Sequence, residues 1–342
     1  MKGVGRLIEV YALKGDKLSE PNPSEYQEDK IDKHSDDEVP SIAIIPFRNK
    51  GKEEDAFYAY GICADLISDC TSAGLIRVAS LEEIEELGDI PFKKKAEKLF
   101  VRYVTTGSLW KMDNMFQLSI ELYDTKESKV VWSDRWQESW ENLPAIKVNL
   151  SDGLLKALDT KPEIVTQIET TNSHAYEFYL KAKHTYEKRE NFKDLEIARG
   201  LLQKAIDLDD NLIKAKTFLG WTCFVTGDYD RAMEIYFSVL KQAEEIGDKR
   251  GMGNSLNRIG AVYYETGNKD KALDYYIRSF KISEEIGDKR GMGNNLNGIG
   301  GVYLNIGDYE KALGYHKRSL KIDEELSDKH GMGYSLKNIG AV

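Results

Sequence analysis

The chain has 342 residues, of which 41% are apolar and 31% charged. That excludes a mostly disordered protein, and the length accommodates two or three domains of roughly 100–200 residues each. The formal charge of −10 argues against a general nucleic-acid binder. No apolar run approaches the ~20 residues that a membrane span needs. Met1–Arg6 leads into only a short apolar stretch, so no signal peptide is expected. Cys63, Cys70 and Cys223 fit neither a disulfide framework nor a zinc site, which makes a reducing, cytoplasmic compartment the expectation.

Residues 1–13 form a short leading stretch, for which an ordinary β-strand leader is one reading. Residues 14–38 form an acidic linker. Asp16–Glu38 holds nine acids and three lysines, with prolines and serines and almost nothing apolar, so it is too poor in apolar surface to offset its ordering entropy. An acidic docking tail is the alternative. From Ser173 onward 26 basic and 26 acidic residues cancel, so the whole of the −10 lies before the C-terminal half.

Residues 39–160 read as an α/β domain with a mixed sheet. Ser41–Phe47 is an almost continuously apolar strand and Phe57–Ser72 a helix with Ile62, Leu66 and Ile67 inward. Leu75–Val78 is a second strand and Lys93–Phe100 a second helix. Arg102–Trp110, Met115–Tyr123 and Lys129–Trp136 alternate as three strands, with turns at Asp113-Asn114 and Lys126-Glu127-Ser128, and Asn142–Leu158 closes as a helix.

Residues 173–342 are dominated by an internal repeat. Gly247-Asp248-Lys249-Arg250-Gly251-Met252-Gly253-Asn254 returns as Gly287–Asn294 and again, modified, as Ser327–Gly333, with a period of 40. Leu256/Leu296/Leu336, Ile259/Ile299/Ile339, Gly260/Gly300/Gly340 and Tyr263/Tyr303 keep the same phase. Asp248 is placed to cap a helix with Leu256, Ile259 and Tyr263 on its apolar face. Gly260 is small where a neighbour comes close, and Gly267-Asn268 makes the turn. A second helix from Lys269 shows Ala272, Leu273, Tyr276 and Phe280 and ends at Gly287. Each unit is a helical hairpin whose apolar face needs a neighbour, giving an all-α superhelical solenoid.

These residues resemble the tetratricopeptide repeat. Its small-residue signature falls on Leu219-Gly220, Ala232 and Tyr236, then Ile259-Gly260, Tyr263, Ala272 and Tyr276, then Ile299-Gly300, Tyr303 and Ala312. A degenerate earlier copy has Ala198, Leu202 and Ala205, with Tyr186 in place of the glycine. Ala198 to Ala232 is the family's usual spacing of 34. The last copy stops at Ile339-Gly340-Ala341-Val342, inside its first helix, which leads us to expect a fragment of a longer array, with a frayed terminus as the alternative.

The resemblance implies that the first helix of each hairpin lines a concave groove for a peptide or protein partner. The longer repeats are similar to kinesin-light-chain-like ones, which carry asparagine ladders. Asn254 and Asn257 recur as Asn294 and Asn297, three residues apart on one face. Asparagine both donates and accepts, which suits an extended peptide backbone. Tyr264, Arg258, Arg250 and Arg290 would add stacking and contacts to acidic residues. The competing reading is idle surface asparagines copied along with the repeat.

The α/β segment resembles the TolB-like N-terminal domain. The matching stretches are Pro40–Phe47, Tyr60-Gly61-Ile62-Cys63-Ala64-Asp65-Leu66, Val104–Ser108 and Val131-Trp132-Ser133-Asp134-Arg135. Lys2–Leu13 resembles the closing strand of a class III nucleotide cyclase domain, an ordinary strand being the alternative. The cyclase's metal-binding aspartates would lie upstream, so no catalysis is expected of this chain. The candidate functions are therefore a non-catalytic interaction module within a signalling protein, the regulatory part of a class III cyclase, or the effector region of a transcription regulator.

Catalytic, cofactor and metal motifs are not found, and no cofactor is expected. His34, His174, His184, His316 and His330 form no metal-binding pattern. Gly251-Met252-Gly253 at a helix start lacks the P-loop lysine and reads as a helix junction rather than a phosphate cradle. Lys93-Lys94-Lys95 and Glu82, Glu83, Glu85 and Glu86 read as solvated faces. Trp132, Trp136 and Trp140 fall at spacings of four, with at least Trp132 expected in the core and a nucleobase platform as the sharper alternative, and Cys63 and Cys70 read as inward-packing hydrophobes.

Overall fold

The computed structural model describes residues 40–73, 76–159, 170–326 and 328–342. The cyclase-like stretch 1–13 and the acidic linker 14–38 lie outside the described residues.

Ile42, Ala43 and Ile44 are fully buried because their strand is covered on both faces. That strand, β1 (Ser41–Ile44), lies parallel to β3 (Arg77–Val78) on one side and to β4 (Tyr103–Met112) on the other. The short β2 (Arg48–Asn49) also runs parallel to β4. β4, β5 (Met115–Asp124) and β6 (Lys129–Ser139) form an antiparallel meander, giving the order β3-β1-β4-β5-β6. The turns fall at the expected places, with Asp113 and Ser128 both at positive φ. The sheet is mixed, as expected; of the second strand's run, Leu75 lies outside the described residues and Arg77–Val78 pair as β3.

Alternation sorts the side chains. Phe116, Leu118, Ile120 and Leu122 of β5 face α1 (Ala56–Ser72) and α4 (Leu143–Ala157). Ala43 and Val104 face the opposite cluster, with Ile84 of α2 (Leu81–Glu86) and Ala96 and Leu99 of α3 (Phe92–Leu99). Cys63 and Cys70 are wholly buried on α1, and burial raises the Cys63 thiol to about 12. Trp136 and Trp140 join the core, whereas Trp132 is half-buried against Gly153, where a Cβ would overlap its ring. These placements leave no exposed aromatic platform on those three residues.

The repeats form helix pairs: α5 (Ser173–Glu187) with α6 (Phe192–Leu208), α7 (Ile213–Val225) with α8 (Tyr229–Ile246), α9 (Lys249–Glu265) with α10 (Lys269–Glu285), and α11 (Lys289–Ile306) with α12 (Tyr309–Glu325). α13 (Lys329–Ala341) follows as a further first helix. The caps explain the conserved-looking turns within the sequence. Asp248, Asp288 and Asp328 each accept a hydrogen bond from the backbone N–H of Gly251, Gly291 or Gly331 at 2.9–3.0 Å. A Cβ at Gly251 or Gly291 would overlap that capping carboxylate, so these glycines serve helix starts. Gly247 and Gly287 sit at positive φ just past the second helices, where a side chain would be strained.

Gly220, Gly260 and Gly300 are close-approach positions: a Cβ there would press on Tyr236, Tyr276 and His316 respectively. The register is therefore fixed by packing as well as by sequence, and residues forty apart occupy equivalent places in α7, α9, α11 and α13.

The core does not stop at the end of the sheet domain. One continuous cluster runs from Ile42 and Phe116 through Leu150 and Leu154 to Tyr176, Leu180, Leu202, Ala215 and Leu219. The first helix pair and α7 thus share a hydrophobic interior with the α/β domain.

Candidate protein-interaction site

Each first helix keeps one face clear of its own partner helix. On α9 that face carries Arg250, Asn254, Asn257, Arg258, Tyr264 and Glu265, all at least partly exposed, while Gly253, Leu256, Ile259 and Gly260 are buried. On α11 the corresponding positions are Arg290, Asn294, Asn297, Gly298, Leu304 and Asn305. Asn254 and Asn294 are exposed and equivalent by the 40-residue register. Arg258 lies over the Trp221 ring, 4.8 Å from its centroid, which links α9 to α7 across the face. Arg290 pairs with the cap Asp328 at 3.1 Å.

The second asparagine of each pair is placed differently. Asn257 Nδ2 donates to Asn295 Oδ1 at 2.8 Å, tying α9 to α11. Asn297 Nδ2 donates to Ser335 Oγ at 3.1 Å, tying α11 to α13, and its Oδ1 lies 3.1 Å from His316 Nδ1. Asn297 is buried. The four asparagines therefore divide into an exposed pair and a pair engaged between helices. The three-residue spacing could not separate them, because both places lie within one helical stripe.

His316 stands where the two earlier repeats have Tyr236 and Tyr276. It is fully buried, burial lowers its pKa, and its Nε2 has no hydrogen-bond partner. Around it Ser335 donates to Asp323 Oδ2 at 2.7 Å, and Ser319 donates to the Gly293 carbonyl at 2.9 Å. Burial raises the Asp323 carboxyl, against the Ser335 hydrogen bond that lowers it. The spacing of the five histidines does not point to this network; its signal is a histidine in a tyrosine column.

At the other end the same kind of face is already occupied. Helix α1 packs on α5 and reaches α7 through Lys214. A Cβ on Gly61 would come within 2.8 Å of Leu180 Cδ2, so the helices approach closely. Asp65 is 1% exposed and accepts from Tyr176 Oη at 2.8 Å, Tyr179 Oη at 3.0 Å and Lys183 Nζ at 3.0 Å. Asp69 accepts from Lys214 Nζ at 3.0 Å and Ser151 Oγ at 2.6 Å, and pairs with Lys147 at 2.5 Å. Burial alone would raise both carboxyls, but the surrounding lysines outweigh it, holding Asp65 well below the usual carboxylate range and lowering Asp69 as well. Asp65 and Asp69 carry this junction, and the sequence showed them only as polar positions on a helix that also has an apolar stripe.

Among the described residues no group of histidine, cysteine and acidic side chains is arranged to hold a metal ion. No helix among them is long and apolar enough to cross a membrane.

Two segments match family models of the tetratricopeptide repeat, residues 212–285 and 296–329. No curated protein is a significant match to the chain. Among solved structures, BtubC (BKLC) from P. vanneervenii is similar at 18% identity and a TM-score of 0.41, over 55% of this chain and 78% of that one. The apo form of RapI is similar at 18% identity and a TM-score of 0.43, over 57% of this chain and 67% of that one. TolB from Acinetobacter baumannii is similar at 20% identity and a TM-score of 0.29, over 37% of this chain and 30% of that one, so the chain spans under a third of TolB. The chain is thus a mixed-sheet domain followed by tetratricopeptide repeats, an architecture that supports a protein–protein interaction module.

Proposed function

We propose that the chain is a non-catalytic interaction module of a signalling protein, in which the open faces of α9, α11 and α13 bind a segment of a partner protein. Asn254 and Asn294 make the polar contacts, Tyr264 and Arg258 stack, and Arg250 and Arg290 meet acidic groups. Asn257 and Asn297 act as positioning residues that hold neighbouring first helices in register. The observation that supports this reading is the alignment of exposed Asn254 and Asn294 on one open face, beside Arg258 over Trp221. The α/β domain is read as a TolB-like regulatory domain. Attachment to a nucleotide cyclase is a further part of the proposal; it stands on Lys2–Leu13, outside the described residues.

The test is site-specific photo-crosslinking in the full chain. A crosslinker at position 254 or 294 is expected to trap a discrete protein adduct, while one at Lys241 or Lys281 on the second helices does not. Equal adducts from both sets of positions would sink the reading.

A further inference from the structure

We infer that the open face of α9, α11 and α13 takes an acidic amphipathic helix from its partner, seated as α1 is seated on α5 and ion-paired to Lys214 of α7. The inference rests on the groove reading above and replaces an extended ligand with a helical one.

The template is internal to the protein. α1 presents Gly61, Asp65 and Asp69, spaced four apart and therefore on one stripe. The glycine lets the helix approach Leu180, and the two carboxylates collect Lys183 and Lys214 from successive first helices. Lys214 is the position that becomes Asn254 in α9, Asn294 in α11 and Tyr334 in α13. The surface that holds α1 and the surface left open are thus the same columns of the repeat, joined where Trp221 of α7 meets Arg258 of α9.

Charge points the same way. Beyond Lys214 the open face carries Arg250, Arg258, Arg290 and Lys337, with Glu265 as the opposing acid and Arg290 shared with the cap Asp328. Such a face steers and retains acidic ligands. The floor suits a helix as well. Gly301 leaves α11 without a Cβ on this side, and one placed there would meet the Tyr264 hydroxyl only at 3.7 Å.

Backbone accounting separates helix from strand. An extended peptide brings unpaired N–H and C=O groups that the groove must satisfy. Asn257 and Asn297, two of the four groove asparagines, are engaged with Asn295, Ser335 and His316. A helix arrives with its backbone already bonded and asks only for side-chain contacts, which Asn254, Asn294, Arg258 and Lys337 supply.

The experiment measures fluorescence anisotropy of labelled peptides with the full chain. The probe is a side-chain-stapled helix carrying leucines on one edge and aspartates at i, i+4 and i+8. Its controls are the same helix with asparagines, and the same acidic composition interrupted by prolines. The acidic helix is expected to bind, and Arg258→Glu with Lys337→Glu to weaken it about tenfold or more. Lys337→Glu alone, at an exposed position, serves if the double variant fails to fold. Equal binding of the asparagine helix, no loss in the variants, or no binding at all overturns the inference. Tighter binding of the proline-interrupted peptide overturns the helix while leaving the groove reading in place. The crosslinking at positions 254 and 294 reports on that reading separately.

Discussion

Ala243, Val239 and Tyr236 in α8 become Ser283, Ser279 and Tyr276 in α10, then Asp323, Ser319 and His316 in α12. All of these side chains are buried. On the first helices Ala215 gives way to Ser255, Asn295 and Ser335. One backbone plan therefore carries an apolar interior where it meets the α/β domain and a hydrogen-bonded one at its far end. Within the array itself the proximal repeats draw on the hydrophobic effect and a shared core, and the buried Asp65 and Asp69 pairs add directional bonds only where α1 meets it. The distal end depends on directional bonds whose loss leaves buried polar groups unpaired. Since each hairpin contacts chiefly its neighbours, stability should be local and fall along the array.

The largest effect is expected at the junction. Asp65→Asn removes a buried charge that gathers lysines from α4, α5 and α7 and two tyrosines, leaving Lys183 without its carboxylate and Asp69 alone to hold Lys147 and Lys214. Breaking such a group costs about 3–5 kcal/mol. Urea unfolding of the full chain should show a lower midpoint and a separation of the α/β transition from that of the array. A loss below about 1 kcal/mol would mean that the apolar cluster alone holds the junction.

Next comes the distal network. Asn297→Ala leaves neither ring nitrogen of buried His316 bonded and cuts the tie to Ser335, which keeps Asp323, with an expected cost of about 1–3 kcal/mol. Hydrogen exchange should quicken in α11–α13 while α5–α8 stay protected; uniform acceleration would contradict a graded array.

A smaller, pH-dependent effect follows from His316. Its folded pKa lies below the ordinary histidine value of about 6.5, because burial disfavours the charged ring. Its contribution is complete above the unfolded value and is lost as pH falls through the folded one. Asp323 works in the opposite sense within the carboxylate range, since its raised pKa favours the fold below the unfolded value and loses that contribution as pH rises. Protection of α11–α13 should therefore decline from neutral pH toward pH ~5, and His316→Phe should flatten the decline. The smallest change is Asp248→Ala, which removes the cap of α9 for about 1 kcal/mol; thermal melts compared with Asp288→Ala would show whether the two caps are equivalent.

Much of this was legible in the chain. The period, the capping aspartates, the close-approach glycines and the turns are local features, and each has a residue type forced by backbone geometry or by a missing Cβ. The strands and helices of the α/β domain followed from alternation and apolar runs. The faces were harder. Nothing local distinguishes Asn254, in solvent, from Asn257, bonded to the next repeat, because the difference lies in a helix about forty residues away. Asp65 and Asp69 were hidden for the same reason: their partners come from α4, α5 and α7, far along the chain. Conversely, Ile67, assigned inward by its spacing, is only partly buried against the core.

The seating of α1 has a further meaning in the language of competition. Held in the core that the α/β domain shares with the first repeats, α1 is an intramolecular occupant of the proximal face. A separate helix of the same design would have to displace it to enter there, whereas among the described residues none covers α9, α11 and α13 in the same way. On the proposal above, the covalent chain would direct an acidic helix to the distal part of the groove.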